Sequence, residues 1–206
     1  MEDLRFVELV YGILFNPKVT FSKIAPEPPL FLSFCILMLV VVLTATVNIL
    51  IPNELENLPT TYAAILSKVG PFLGIIGAII TIVFWFVRAG ILQLVAELLG
   101  GKGRATGVLA VLALAEIPKV MAIPFQVISY FTTSSFISKF IMIFAALAVF
   151  IWSIVILVIG FREVQQLSTG RTILALVLPA VAFVLLLMVF AISLVAIVAP
   201  LAGAVQ

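Results

Sequence analysis

Between residues 30 and 199 the chain carries five long, nearly uninterrupted apolar stretches, roughly 30–51, 71–99, 105–128, 140–161 and 172–199. The hydrocarbon core of a bilayer is about 30 Å thick, and about 20 apolar residues in helical form cross it. No water reaches backbone groups at that depth, so single-pass segments of this length satisfy their own hydrogen bonds as α-helices. The expected fold class is all-α: a polytopic membrane protein with five transmembrane helices. Hydrophobic residues are 65% of the chain and charged residues 10%, more apolar surface than a water-soluble core can hide. The 206 residues leave room for one transmembrane domain, 30–206, preceded by a segment 1–29.

The flanking charges set an orientation. Arg5, Lys18 and Lys23 precede the first stretch, Lys102 and Arg104 follow the second, and Arg162 and Arg171 follow the fourth, whereas Lys68 and Lys139 face the other way. The positive-inside rule then predicts a cytoplasmic N-terminus and an external C-terminus. Several function classes drop out. There is no histidine and one cysteine, Cys35, so the usual ligands for zinc, the pairing for disulfides and the imidazole for acid–base catalysis are missing. No metal, cofactor or catalytic residue is expected, and the chain does not read as an enzyme. The net charge of +2 comes from scattered basic residues, which excludes a nucleic-acid footprint. Cys35 reads as a small buried residue.

Charge and proline fill the first 29 positions, which do not read as a signal peptide. Arg5, Glu8 and Gly12 fall on one helical face, with Leu4, Val7, Val10, Tyr11 and Leu14 around the rest, the pattern of an amphipathic helix in the membrane interface. Asn16 and Pro17 read as the cap and first residue of a second short helix ending before Pro26. Pro28 and Pro29 break helix ahead of the first span. Gly70, Gly74 and Ala78 put a small residue on one face every fourth position, a surface expected to pack against another helix of the same chain. Residues 100–103 are glycine-rich but lack the Ser or Thr that follows the lysine of a phosphate loop. They are expected to form the turn between the second and third spans, with Lys102 and Arg104 able to meet anionic lipid headgroups.

Three charges lie deep in apolar sequence: Arg88, Glu116 and Lys119. Arg88 and Glu116 are each fourteen residues from Lys102, so a helical hairpin centred there brings them to the same depth, ~21 Å from the turn. Lys119 lies one turn beyond Glu116. Each unpaired charge at such depth costs about 2.5–3.5 kcal/mol on insertion scales, and an Arg88–Glu116 pair is expected to offset most of that. Pro118 deprives the Leu114 carbonyl of its helical donor and Pro124 does the same to Val120, so the third span is expected to be kinked or broken. Arg88 or Lys119 is a candidate replacement donor. Two uses of the cluster remain open: a structural ion pair fixing helix register, or a polar cavity that binds or passes an ion or solute. Trp85 and Trp152 sit inside spans as packing residues, with Trp85 one turn from Arg88. Glu97 falls near the loop end as a snorkelling or loop-paired carboxylate.

Short landmarks recur in a recognisable order: Asn16-Pro17 with Phe21 and Ile24, then Glu27-Pro28-Pro29, then Gly100-Gly101-Lys102-Gly103. Arg162-Glu163-Val164-Gln165 and Ser168-Thr169-Gly170-Arg171 complete the series. In this order the chain resembles the Yip family of Ypt/Rab-interacting membrane proteins, in particular its short prokaryotic members. The resemblance implies five spans and a cytoplasmic N-terminus and, for eukaryotic relatives, a role in vesicle trafficking through prenylated small GTPases. This chain has no Asp-Leu-Tyr-Gly-Pro segment, the feature associated there with GTPase partners. What carries across is the architecture and the use of inner loops 100–106 and 162–171 as contact surfaces, with Lys102, Arg104, Arg162, Glu163 and Arg171 as contact residues. The expectation is a non-enzymatic protein of a prokaryotic cytoplasmic membrane that organises membrane or partner proteins. The alternative is a small transporter or channel built on Arg88, Glu116 and Lys119.

Overall fold

The computed structural model describes residues 6–50, 60–132 and 135–203. Arg5 therefore lies outside the described residues. The described chain is all-helical: α1 Phe6–Phe15, α2 Pro17–Ile24, α3 Leu30–Leu50, α4 Thr60–Leu98, α5 Ala105–Leu114, a 3-10 turn Ile117–Ala122, α6 Ile123–Phe131, α7 Ser135–Gln165 and α8 Thr169–Gly203. Five segments are long and apolar enough to cross a membrane: Leu30–Val47, Ile76–Leu98, Ala105–Phe131, Phe136–Gln165 and Thr169–Ser193. They correspond one to one with the five apolar stretches.

The third span is broken where its prolines require it. Residue 118 has no N–H to offer the Leu114 carbonyl, and α5 stops at Leu114. The chain continues with i→i+3 bonds, Glu116 N to Ala113 O at 3.2 Å and Lys119 N to Glu116 O at 3.0 Å, before Pro124 opens α6 near its N-terminus. Irregular backbone survives at membrane depth only when protein covers it. Accordingly, half of the third span is buried, against 22% for the first two spans, 11% for the fourth and 6% for the fifth. Gly107, Val108 and Ala110 to Leu114 of α5 are all buried, packed by α3, α4 and α7. The 3-10 turn rests on α3 and α7, with Ile117 and Pro118 out of contact with the surroundings. α8 lies outermost, touching α4 and α7.

Pro179 does not interrupt α8, which runs through it as a single helix. Nor do Gly70 and Gly74 receive a neighbour: a methyl group placed on either meets no described atom within 4 Å. Among the described residues, Gly70 and Gly74 are therefore not packed as their spacing predicts, because α4 leans on α5 through the half nearer Leu98. Cys35, read as a buried residue, is exposed, as α3 turns Ser33, Ile36, Leu37 and Val40 inward instead.

Helices α1 and α2 form a hairpin whose inner face belongs to the bundle core. Leu9, Ile13 and Phe21 are fully buried and Ile24 nearly so, in one cluster with α3, α4, α5 and α7 residues. Pro17 opens α2 as expected, but the Asn16 side chain makes no cap bond; the Asn16 backbone carbonyl accepts from the Thr20 hydroxyl at 3.0 Å. The outer face of α1 presents Phe6, Val7, Tyr11 and Phe15, the apolar surface an interfacial helix turns to lipid.

Candidate functional site

Two polar assemblies stand out, one at an end of the bundle and one inside it. At the end, α4 stops with Gly100 in the left-handed region, φ 85°, where a side chain is disfavoured. Gly101 N then donates to Ala96 O at 2.8 Å, the bond that closes a Schellman cap. α7 ends the same way on Gln166, φ 55°, with Leu167 N donating to Arg162 O at 3.2 Å. These two helix ends are tied to each other. Lys102 N donates to Gln165 O at 3.0 Å and Gly103 N to Gln165 Oε1 at 3.1 Å. Gln165 Nε2 donates to Gln93 Oε1 at 2.7 Å, and Gln93 Nε2 serves both Glu97 Oε1 at 2.7 Å and Gly103 O at 3.1 Å. Gln165 is fully buried and Gln93 8% exposed, so this network is shielded from the water that would compete with it. Glu97, expected to snorkel or to pair with the loop, accepts instead from Gln93 one turn earlier on its own helix.

Around this network the basic residues gather. Phe21 of α2 packs over Gly160 of α7, and Gly107 lies against Val164 and Pro28, so α2, Pro28, the loop 100–104 and residues 162–171 share one end of the molecule. Lys23, Lys102, Arg104 and Arg171 are exposed there, and Lys18 is exposed at the start of α2. Arg171 reaches the Leu99 carbonyl at 3.4 Å. Arg162 donates twice to Glu163 Oε1, at 2.6 and 3.2 Å, and to Thr169 Oγ1 at 3.4 Å. Of the five contact residues read from the sequence, Lys102 and Arg104 are free of side-chain partners in the described structure, while Arg162 and Glu163 hold each other. Phe21 is a buried packing residue rather than an interfacial contact. Sequence reasoning missed Gln93, whose polarity on an apolar helix was the available signal.

Inside the bundle, a cavity of about 390 Å³ is lined by Leu37, Val40, Val41 and Thr44 of α3, Ile80, Thr81, Phe84, Trp85 and Arg88 of α4, and Leu112, Glu116 and Lys119. All three intramembrane charges border this cavity. The Trp85–Leu109 and Gln93–Gly103 contacts register α4 against α5 so that Arg88 lies nearer the loop end than Glu116, not at the common level that counting from Lys102 predicts. Their pairing differs from the sequence expectation. Glu116 forms an ion pair with Lys119, its neighbour across the tightened turn, and among the described residues Arg88 has no carboxylate within 4 Å. A local pair needs no alignment of separate helices, so it forms in preference to the cross-helix one. Neither Arg88 nor Lys119 donates to the Leu114 carbonyl in the described structure. Trp85, nearly buried, sends its indole N–H to the Leu109 carbonyl at 3.2 Å, pinning α4 to α5 beside the cavity. Trp152 borders a separate, apolar cavity of about 520 Å³ with Phe15, Pro118 and Phe125. Among the described residues no group of His, Cys, Asp and Glu is placed to hold a metal ion.

Five membrane-crossing segments, the third of them broken, define a polytopic helical membrane protein. Residues 11–192 match the Yip1 domain, and the chain belongs to the Yip1-domain family. Searches of curated proteins and of solved structures return no match.

Proposed function

We propose that this protein is a non-enzymatic organiser of the membrane surface, acting through the end of the bundle built from α2, loop 100–104 and residues 162–171. The supporting observation is the buried Gln93–Gln165–Gly103 network. It rigidifies a loop whose outward residues, Lys102 and Arg104, are cationic and uncommitted, at the same end as Lys23 and Arg171. A fixed cluster of cations attracts anionic headgroups by about 1 kcal/mol per Lys or Arg near the surface, and a preformed loop loses little entropy on engaging them. In this reading the end is cytoplasmic, following the positive-inside rule, the membrane is a prokaryotic cytoplasmic membrane, and segment 1–29 forms part of the contact surface. A protein partner bound at 162–171 fits the same arrangement.

Proteoliposomes test the proposal. Dye-labelled phosphatidylglycerol should cluster around the wild-type protein and self-quench, and the combined variant Lys102→Gln, Arg104→Gln, Arg171→Gln should lose most of that effect. A second reading, transport through the Arg88, Glu116 and Lys119 cavity, draws on the volume of that cavity. It predicts solute-specific flux in the same vesicles, lost in Glu116→Gln with folding intact, and that result would defeat the organiser reading.

A further inference from the structure

An arginine at membrane depth without a counter-ion calls for an anion from outside the chain. Arg88 is exposed, lines the internal cavity, and has no carboxylate partner among the described residues, since Glu116 is taken by Lys119. Two cations and one anion leave the cavity with a net charge of +1. We infer that this cavity is a lateral binding site for an anionic phospholipid, with the Arg88 guanidinium as donor to the headgroup phosphodiester. This goes beyond the surface role proposed above and uses none of its residues.

The walls argue for a lipid as the source of the anion. α3 and α4 both pack on α5 but make little described contact with each other, so the cavity is a cleft between them with α5 and the 3-10 turn as its floor. Phe34 and Trp85, ring centroids 5.8 Å apart, bridge α3 and α4 at one border of the cleft. Ile80, Thr81 and Phe84 are exposed along its lip, which opens it to the bilayer. Leu37, Val40, Val41 and Leu112 give the cleft an apolar lining beside the charge, the arrangement an acyl chain attached to a phosphate needs. Both threonine hydroxyls donate to carbonyls of their own helices, Thr44 to Val40 and Thr81 to Gly77, each at 2.8 Å. That leaves Arg88 and Lys119 as the donors. Glu116, in the same lining and paired to Lys119, disfavours a dianion, so a singly charged diester suits the site better than a monoester phosphate.

Trp85 in the cavity wall serves as the reporter once Trp152→Phe removes the other indole. In nanodiscs of the full chain, phosphatidylglycerol with dibrominated acyl chains should quench Trp85 at a several-fold lower mole fraction than dibrominated phosphatidylcholine. Arg88→Gln should abolish the preference, Arg88→Lys should keep it, and Lys102→Gln with Arg104→Gln should leave it unchanged. Equal quenching by the two lipids in the Trp152→Phe protein overturns the inference, as does a preference that survives Arg88→Gln or vanishes in the loop variant. Relief of quenching by inorganic phosphate overturns the lipid assignment in favour of a free anion. Loss of headgroup clustering in the loop variant with the Trp85 preference intact would separate this site from the surface proposal.

Discussion

A buried carboxamide brings donors and an acceptor that need partners, and Gln165 donates one bond and accepts one on segments more than sixty residues away in sequence. Gln165→Leu keeps the bulk but leaves Gln93 Oε1 and Gly103 N–H unpaired, at about 1–3 kcal/mol for each group stranded in the interior. The expected outcome is a lower unfolding midpoint in detergent; an unchanged midpoint would mean the loop end does not depend on this network. The intramembrane charges show what a sequence can and cannot reveal at this scale. Counting outward from Lys102 with a constant helical rise puts Arg88 and Glu116 level. The chain doubles back past the end of α4, however, and the Gln93–Gly103 and Trp85–Leu109 contacts shift the register so that Arg88 lies nearer the loop end. Counting cannot say that Lys119 will claim Glu116 first. That depends on the 3-10 geometry that Pro118 imposes, which swings a residue three positions on to the same side of the chain.

Elements behave as their local chemistry dictates, but their partners are chosen in three dimensions. The break in the third span was legible from Pro118 and Pro124, since a missing N–H is a property of the residue. That this span would be the central one follows from the need to cover its irregular backbone. The α1–α2 hairpin was legible as two helices around Asn16-Pro17. Its docking was not, because Leu9, Ile13, Phe21 and Ile24 look equally suited to a lipid interface. The contact between α2 and α7 is tight at Gly160, where a β-carbon would stand 2.7–2.9 Å from the Phe21 ring. Gly160→Ala should therefore destabilise by about 1–3 kcal/mol through overpacking, despite the better helix propensity of alanine. Phe21→Leu in the same chain should recover part of the loss. Thermal melts of the single and double variants provide the check, and additive effects would argue against contact between these helices.

At the scale of the whole molecule, one end collects Lys23, Lys102 and Arg171, so cysteines placed at these positions should report a common side. In a Cys35→Ala background, a membrane-impermeant maleimide applied to intact cells should label none of the three and should label all three after the membrane is opened. Labelling split between the two conditions would refute the shared end, and labelling of all three on intact cells would reverse the proposed orientation. Apolar runs and proline chemistry act along the chain, and from them the sequence alone determined five membrane-crossing segments and the broken third span. The tertiary structure decided which groups meet: glutamine with glutamine across the loop end, the N-terminal hairpin with α7, and Arg88 with a cleft instead of a carboxylate. Those choices rest on competition between partners remote in sequence. In an almost uniformly apolar chain, many faces are equally oily, and packing distinguishes them by shape.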